Sequence, residues 1–228
     1  MVKYGLILVF LLIINPAFLF GQIMSAERYL EMVSNHYGTI RDYEANIAIR
    51  QGNSDMAGRV SHLAPSLLRI DFTRPAEQVI IFNGERLVVY LPEFRAVLNQ
   101  EISSSRRTGV GGAGMASAQG LILLRRNYVP SFVTGPNPEP FEPGSSEMVM
   151  RLRLTRRTIS EGFREIILTI NHSTMLIRRI EGRTIADSEV RFDFTNIRTN
   201  VNIPDHRFVY DTPPMANMYN NFLFRDFD

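Results

Sequence analysis

The sequence predicts a mainly β protein with a few helices, built on an antiparallel sheet large enough to curl into an open barrel or strongly curved half-barrel. Three observations carry that prediction. Short stretches of period-two alternation recur in both halves of the chain, with turn residues between them. No rhythm of strand, helix, strand suggests a parallel sheet. The strands number about ten, and a sheet that large must curl or close.

Composition bounds the rest. The chain has 228 residues, 45% hydrophobic and 21% charged, which is ordinary for a globular protein with a sizeable core and excludes disorder. A net charge of +2 argues against a dedicated nucleic-acid binder, while a pI near 9.1 allows weak attraction to anionic membrane surfaces. Cysteine is absent, which removes disulfides, thiolate metal sites, cysteine nucleophiles and lipid attachment at an N-terminal cysteine.

Lys3, the apolar run Tyr4 to Phe20 and the small Gly21 read as a secretory signal peptide over residues 1–21. Asn15-Pro16 interrupts the run, which is also slightly short for a spanning helix; an uncleaved anchor is the alternative reading. In a bacterium with two membranes the destination is the periplasm. Ser25 to Tyr37 reads as a helix, with Ser25 as N-cap, Tyr29, Leu30 and Val33 on one side, and Gly38 as its end. From Tyr43 the period becomes two: Tyr43, Ala45, Ile47 and Ile49 share one face, and Gly52-Asn53 turns the chain into the next strand. Strands follow at Leu67 to Phe72, Val79 to Phe82, Arg86 to Tyr90 and Phe94 to Gln100, punctuated by Arg74-Pro75, Asn83-Gly84 and Leu91-Pro92. Ser103 to Gly114 is a Gly- and Ser-rich loop, and Met115 to Leu124 an apolar helical stretch. A proline-rich loop over Gly135 to Gly144 precedes strands at Glu147 to Thr155, Arg164 to Ile170, Met175 to Glu181, Asp187 to Thr195 and His206 to Tyr210.

The catalytic inventory is poor. His36, His62, His172 and His206 show no metal-ligand spacing. Asp205-His206 with Asp211 imitates part of a charge relay, but no Gly-x-Ser-x-Gly elbow accompanies it, so a surface histidine is the simpler reading. Gly109, Gly111, Gly112 and Gly114 lack the Gly-Lys-Ser/Thr ending of a phosphate loop, and Lys3 is the only lysine. No nucleophile, metal cluster or cofactor fingerprint stands out, so the expectation is a non-enzyme that binds an apolar ligand in a β-cavity, without cofactor, metal or nucleic acid.

The runs Pro65-Ser66-Leu67-Leu68-Arg69-Ile70-Asp71-Phe72-Thr73-Arg74-Pro75 and Gln78-Val79-Ile80-Ile81-Phe82-Asn83-Gly84-Glu85-Arg86-Leu87-Val88-Val89-Tyr90, closed by Leu91-Pro92, resemble the outer-membrane lipoprotein carrier family, LolA. Phe192-Asp193-Phe194-Thr195-Asn196 and the later Phe208 to Pro214 resemble its closing strand and double-proline end. The resemblance implies a carrier domain over residues 22–214, a C-terminal tail over 215–228, and a helical lid over an apolar cavity in an unclosed half-barrel. It further implies a monomeric periplasmic carrier that takes acylated lipoproteins from an ABC-type inner-membrane exporter to an outer-membrane receptor or to the outer membrane itself. The alternative is a non-transporting lipid or lipoprotein sensor, or a carrier of other amphiphiles, on the same fold.

The candidate lipid-binding residues are Leu68, Ile70, Phe72, Ile81, Val89 and Tyr90 on the early strands, with Met115, Leu121 and Leu124 in the lid. Alternation does not say which face is hollow, so each is equally a core position. One departure stands out: the family commonly places a lid-latching arginine before the proline matching Pro65, and here Ala64 occupies it. Arg69, Arg106 and Arg107 are the arginines that could stand in, or they are plain solvated surface residues. Ten methionines and fifteen phenylalanines without tryptophan suit a deformable lining and an ordinary core equally well.

Overall fold

The computed structural model describes residues 24–102 and 112–222. The segment read as a signal peptide lies outside them, as do Arg106 and Arg107. Helix α1 (Ala26–Gly38) opens with the Ser25 hydroxyl accepting from the Arg28 N–H at 3.1 Å. It is followed by β1 (Asp42–Gln51), β2 (Ser54–Leu63), β3 (Leu67–Arg74), β4 (Ala76–Phe82), β5 (Arg86–Leu91) and β6 (Ala96–Glu101). Helix α2 (Ala118–Asn127), capped by Ser117, then leads to β7 (Tyr128–Phe132), β8 (Glu139–Pro140), β9 (Met148–Arg156), β10 (Phe163–Asn171), β11 (Ile177–Thr184), β12 (Glu189–Thr199) and β13 (Asn217–Asn220).

Among the described residues these thirteen strands form one sheet in the order β13-β6-β5-β4-β3-β2-β1-β12-β11-β10-β9-β7, with β8 on β9. Its ends do not meet, so the sheet is an unclosed half-barrel. The pairing of β1 with β12 joins the two halves of the chain, and all pairs are antiparallel except β13 with β6. Gly52, at φ +56°, takes the first corner of the β1–β2 turn, the place where a tight hairpin favours glycine. At Asn83-Gly84 the Asn83 side-chain oxygen accepts from the Glu85 and Arg86 N–H groups, which fixes the β4–β5 turn.

Several boundaries differ from the sequence reading for local reasons. Pro92 starts a 3-10 turn through Phe94, and Arg95 leaves it in the left-handed region, so β6 begins at Ala96 rather than Phe94. Residues 205–208 form a 3-10 turn in place of the expected strand start, and the chain then runs irregularly across the sheet. The helical stretch expected from Met115 is a 3-10 turn, Gly112–Met115, followed by α2.

The main core lies on the concave face. Tyr43, Ala45, Ile47 and Ile49 of β1, Leu68, Ile70 and Phe72 of β3, Leu152 and Leu154 of β9, Ile166, Leu168 and Ile170 of β10, and Phe192 and Phe194 of β12 form one cluster with Leu30, Val33, Leu121 and Leu124 of the two helices. A smaller cluster on the convex face joins Leu63 and Leu67 to Ile203 and Phe208. Over β9 to β12 the convex face is polar, with ion pairs that include Arg153–Glu165 at 2.7 Å and Arg178–Glu147 at 2.6 Å.

Candidate functional site

Cross-strand register decides which candidate residues share a face, because paired residues point the same way and neighbours along a strand point oppositely. Leu68 pairs with Phe82, which pairs with Leu87; Ile70 pairs with Ile80, then Val89, then Leu98. Leu68, Ile70, Phe72 and Val89 therefore line the concave face. Arg69 pairs with Ile81, then Val88, and Asp71 pairs with Val79, then Tyr90, on the convex face. Ile81 and Tyr90 thus stand apart from the other candidates. Ile81 is 1% exposed because the C-terminal segment covers it, and Tyr90 packs on Tyr210 with ring centroids 5.8 Å apart. Between that segment and β3 to β6 lies a groove of about 300 Å³, lined by Leu67, Ile81, Val88, Phe208 and Tyr210 among others.

The two helices cover the hollow side. Leu121 and Leu124 are buried in the core, and Met115 packs on it partly exposed. Gly120 is required where α2 meets the preceding 3-10 turn, since a Cβ there would stand 2.3 Å from the Gly114 carbonyl oxygen and 2.7 Å from Met115 Cα. The filling is uneven. Met150, Leu152 and Leu154 of β9 and Ile166, Leu168 and Ile170 of β10 are buried, whereas Ile80, Leu87, Val89 and Leu98 on the β4–β6 wing are only half-buried.

The lid is tied down without an arginine at position 64. Ala64 merely donates its N–H to the Arg41 carbonyl at 2.8 Å. Arg69 is no latch, because it points to the convex face, where it binds Asp71 and donates to the Arg207 carbonyl at 3.1 Å. Arg207 also pairs with Asp71, so this trio straps the C-terminal segment to β3. On the concave side the hydroxyl of Tyr37, on the last turns of α1, accepts the Ile177 N–H of β11 at 2.9 Å. Burial holds the Tyr37 phenol above the ordinary tyrosine range, so it stays neutral. Glu31 and Arg125 link the two helices at 3.5 Å, and Tyr29 lies against Phe132 of β7 with centroids 6.3 Å apart.

Sequence reasoning also missed a polar corner beneath α1. His62 and Tyr43, paired across β2 and β1, stack with centroids 5.2 Å apart and planes at 19°, and are 5% and 4% exposed. Neither imidazole nitrogen of His62 nor the Tyr43 hydroxyl has a hydrogen-bond partner among the described residues. Burial lowers the His62 pKa to about 4, against an opposing pull from Asp42, so the ring is neutral near pH 7. Nothing in one sequence separates such a histidine from an exposed one. Among the described residues no three His, Asp or Glu side chains converge as a metal site would require.

An unclosed antiparallel half-barrel whose apolar concave face is covered by two helices defines the class of protein. The family model described as "Outer membrane lipoprotein carrier protein LolA" matches residues 50–108, from the end of β1 past β6. The chain resembles that family over this stretch. It superposes on an uncharacterized conserved protein from Thermus thermophilus with a TM-score of 0.56 at 13% identity, covering 86% of this chain and 98% of that one. It superposes on a chain of the Pseudomonas aeruginosa MucA/MucB complex with a TM-score of 0.50 at 13% identity, covering 82% of this chain and 61% of the other. A LolA superfamily protein from Nitrosomonas europaea aligns over 82% of this chain and 98% of its own at 17% identity, with a TM-score of 0.42. No curated protein matches the chain in sequence. Among the described residues no helix is long and apolar enough to cross a membrane.

Proposed function

We propose that the protein is a binding protein, not an enzyme, that carries the acyl chains of lipid-modified proteins between its sheet and its two-helix lid. The observation that carries this reading is the covered concave face: Leu121 and Leu124 plug it from a separate helix, so they can leave without breaking a strand pair. Energetics suit a carrier. An acyl chain of roughly 14 methylenes gains up to ~11 kcal/mol on burial at about 0.8 kcal/mol per methylene. Displacing buried leucines costs about 1.5–3 kcal/mol each, which lowers the net affinity and keeps cargo exchangeable.

In the full reading residues 1–21 are removed on secretion, residues 22–214 form the carrier, and the chain works in the periplasm as a monomer. It would collect acylated lipoproteins from an ABC-type exporter in the inner membrane and deliver them to a receptor in the outer membrane or to that membrane itself. Cell fractionation and N-terminal sequencing check the location; a chain that begins at Met1 in the inner membrane refutes it. Hydrogen exchange with and without a palmitoylated peptide checks the binding. Exchange over Ala118–Asn127 should rise on loading while Leu67–Arg74 stays protected. An unchanged lid in the presence of excess peptide refutes the reading.

A further inference from the structure

We propose that Tyr43 and His62 form a polar subsite for the carbonyl oxygen of an acyl ester or amide, at the head of a hydrocarbon chain that lies along β3. The inference deepens the acyl-binding reading and rests on it. A neutral imidazole carries one N–H and one lone pair, and a phenol one O–H, so the pair presents two donors and at least one acceptor. Both side chains are more than nine-tenths buried, and none of these groups is satisfied among the described residues. Buried polar groups in folded proteins are overwhelmingly hydrogen-bonded, and each exception needs a reason.

Position supplies the reason. Tyr43 and His62 face the concave side at the head of the apolar row. His62 pairs directly with Leu68, and Leu68, Ile70 and Phe72 continue that row along one face of β3. From Leu68 to Phe72 is four residues, roughly 14 Å at ~3.4 Å per residue, long enough to lie under much of an acyl chain. A carbonyl oxygen at the His62 end can accept from both donors while its chain follows the row. An amide N–H, where present, finds the imidazole lone pair. A purely hydrocarbon ligand satisfies none of these groups. A negative charge already stands close by: buried Asp42, next to Tyr43 in sequence, turns to the other face and accepts the Val201 N–H at 2.7 Å, and its field reaches His62 and opposes a second anion there. The subsite therefore selects a neutral oxygen function over a phosphate or a carboxylate.

The test compares two ligands of similar length, methyl palmitate and octadecane, by displacement of N-phenyl-1-naphthylamine from the protein. Wild type should prefer the ester by about tenfold, and His62→Leu and Tyr43→Phe should each lose most of that preference while octadecane displaces the dye as before. Thermal melting confirms that the variants are folded. Should His62→Leu fail to fold, Tyr43→Phe, which removes a single oxygen, gives the same reading. Equal affinity of wild type for the two ligands, or equal weakening of both in the folded variants, overturns the subsite and leaves acyl binding intact. Failure of both ligands to displace a bound dye overturns the acyl-binding reading together with it.

Discussion

Acidification should destabilise this protein through His62. In the folded state the ring titrates at about 4, against an ordinary 6.5, because burial disfavours the imidazolium. The unfolded chain therefore binds the extra proton first as pH falls, and unfolding gains free energy across the window between 6.5 and 4. At about 1.4 kcal/mol per pH unit the loss approaches 3 kcal/mol by pH 4; it is absent above 6.5 and levels off below 4. Urea unfolding of wild type and His62→Leu at pH 7.5, 6.5, 5.5 and 4.5 reads it directly, since carboxylate contributions common to both chains cancel in the difference. Wild type should weaken relative to the variant by about 2–3 kcal/mol over that range. Two stability curves that run parallel from pH 7.5 to 4.5 would refute the argument and mean that His62 reaches solvent or a partner in the folded state.

Three further outcomes follow from the geometry. Gly120→Ala drives a methyl group into the Gly114 carbonyl and Met115, and should separate the 3-10 turn from α2, raising hydrogen exchange over Ala118–Asn127 and costing about 1–3 kcal/mol. Asp71→Ala leaves Arg69 and Arg207 without their shared carboxylate; it should cost about 1–2 kcal/mol and loosen residues 205–210, with acyl-ligand affinity unchanged because the site is on the convex face. Leu68→Asp and Phe72→Asp place a carboxylate on the concave face and should abolish acyl binding, with circular dichroism as the folding control; retained binding by either folded variant would put the ligand on the other face.

Much of the fold was legible because local signals agreed with one another. Ser25 and Gly38 bracket α1, Tyr43 to Ile49 alternate cleanly, and Gly52-Asn53 and Asn83-Gly84 are turns in the structure as in the sequence. The choice of face was not legible on β4 and β5. There Val79, Ile80, Ile81 and Phe82 are consecutively apolar, because the core side half-covers one face and the C-terminal segment the other, and a strand covered in part on both faces loses its alternation. Ile81 and Tyr90 consequently read like cavity residues. The tie from Tyr37 to β11 spans 140 residues of sequence and pairs a phenol with a backbone N–H, so no local pattern announces it. β7 and β13 are four or five residues long, one with an internal proline and the other wholly exposed, and neither carries the period-two signal that reveals longer strands.

An unclosed sheet has two rims, and each is a template on which another chain could grow. Here both rims are blunted. On one, the C-terminal segment crosses the convex face and lays Asn217–Asn220 parallel against Ala96–Asn99, so the longer strand β6 is never the outermost one. On the other, Tyr128–Phe132 is short and carries Pro130, which has no N–H to offer a newcomer. The half-barrel can thus stay unclosed without inviting its own copies to zip together rim to rim. Strand β13 serves as a selvedge that stops the woven sheet from extending.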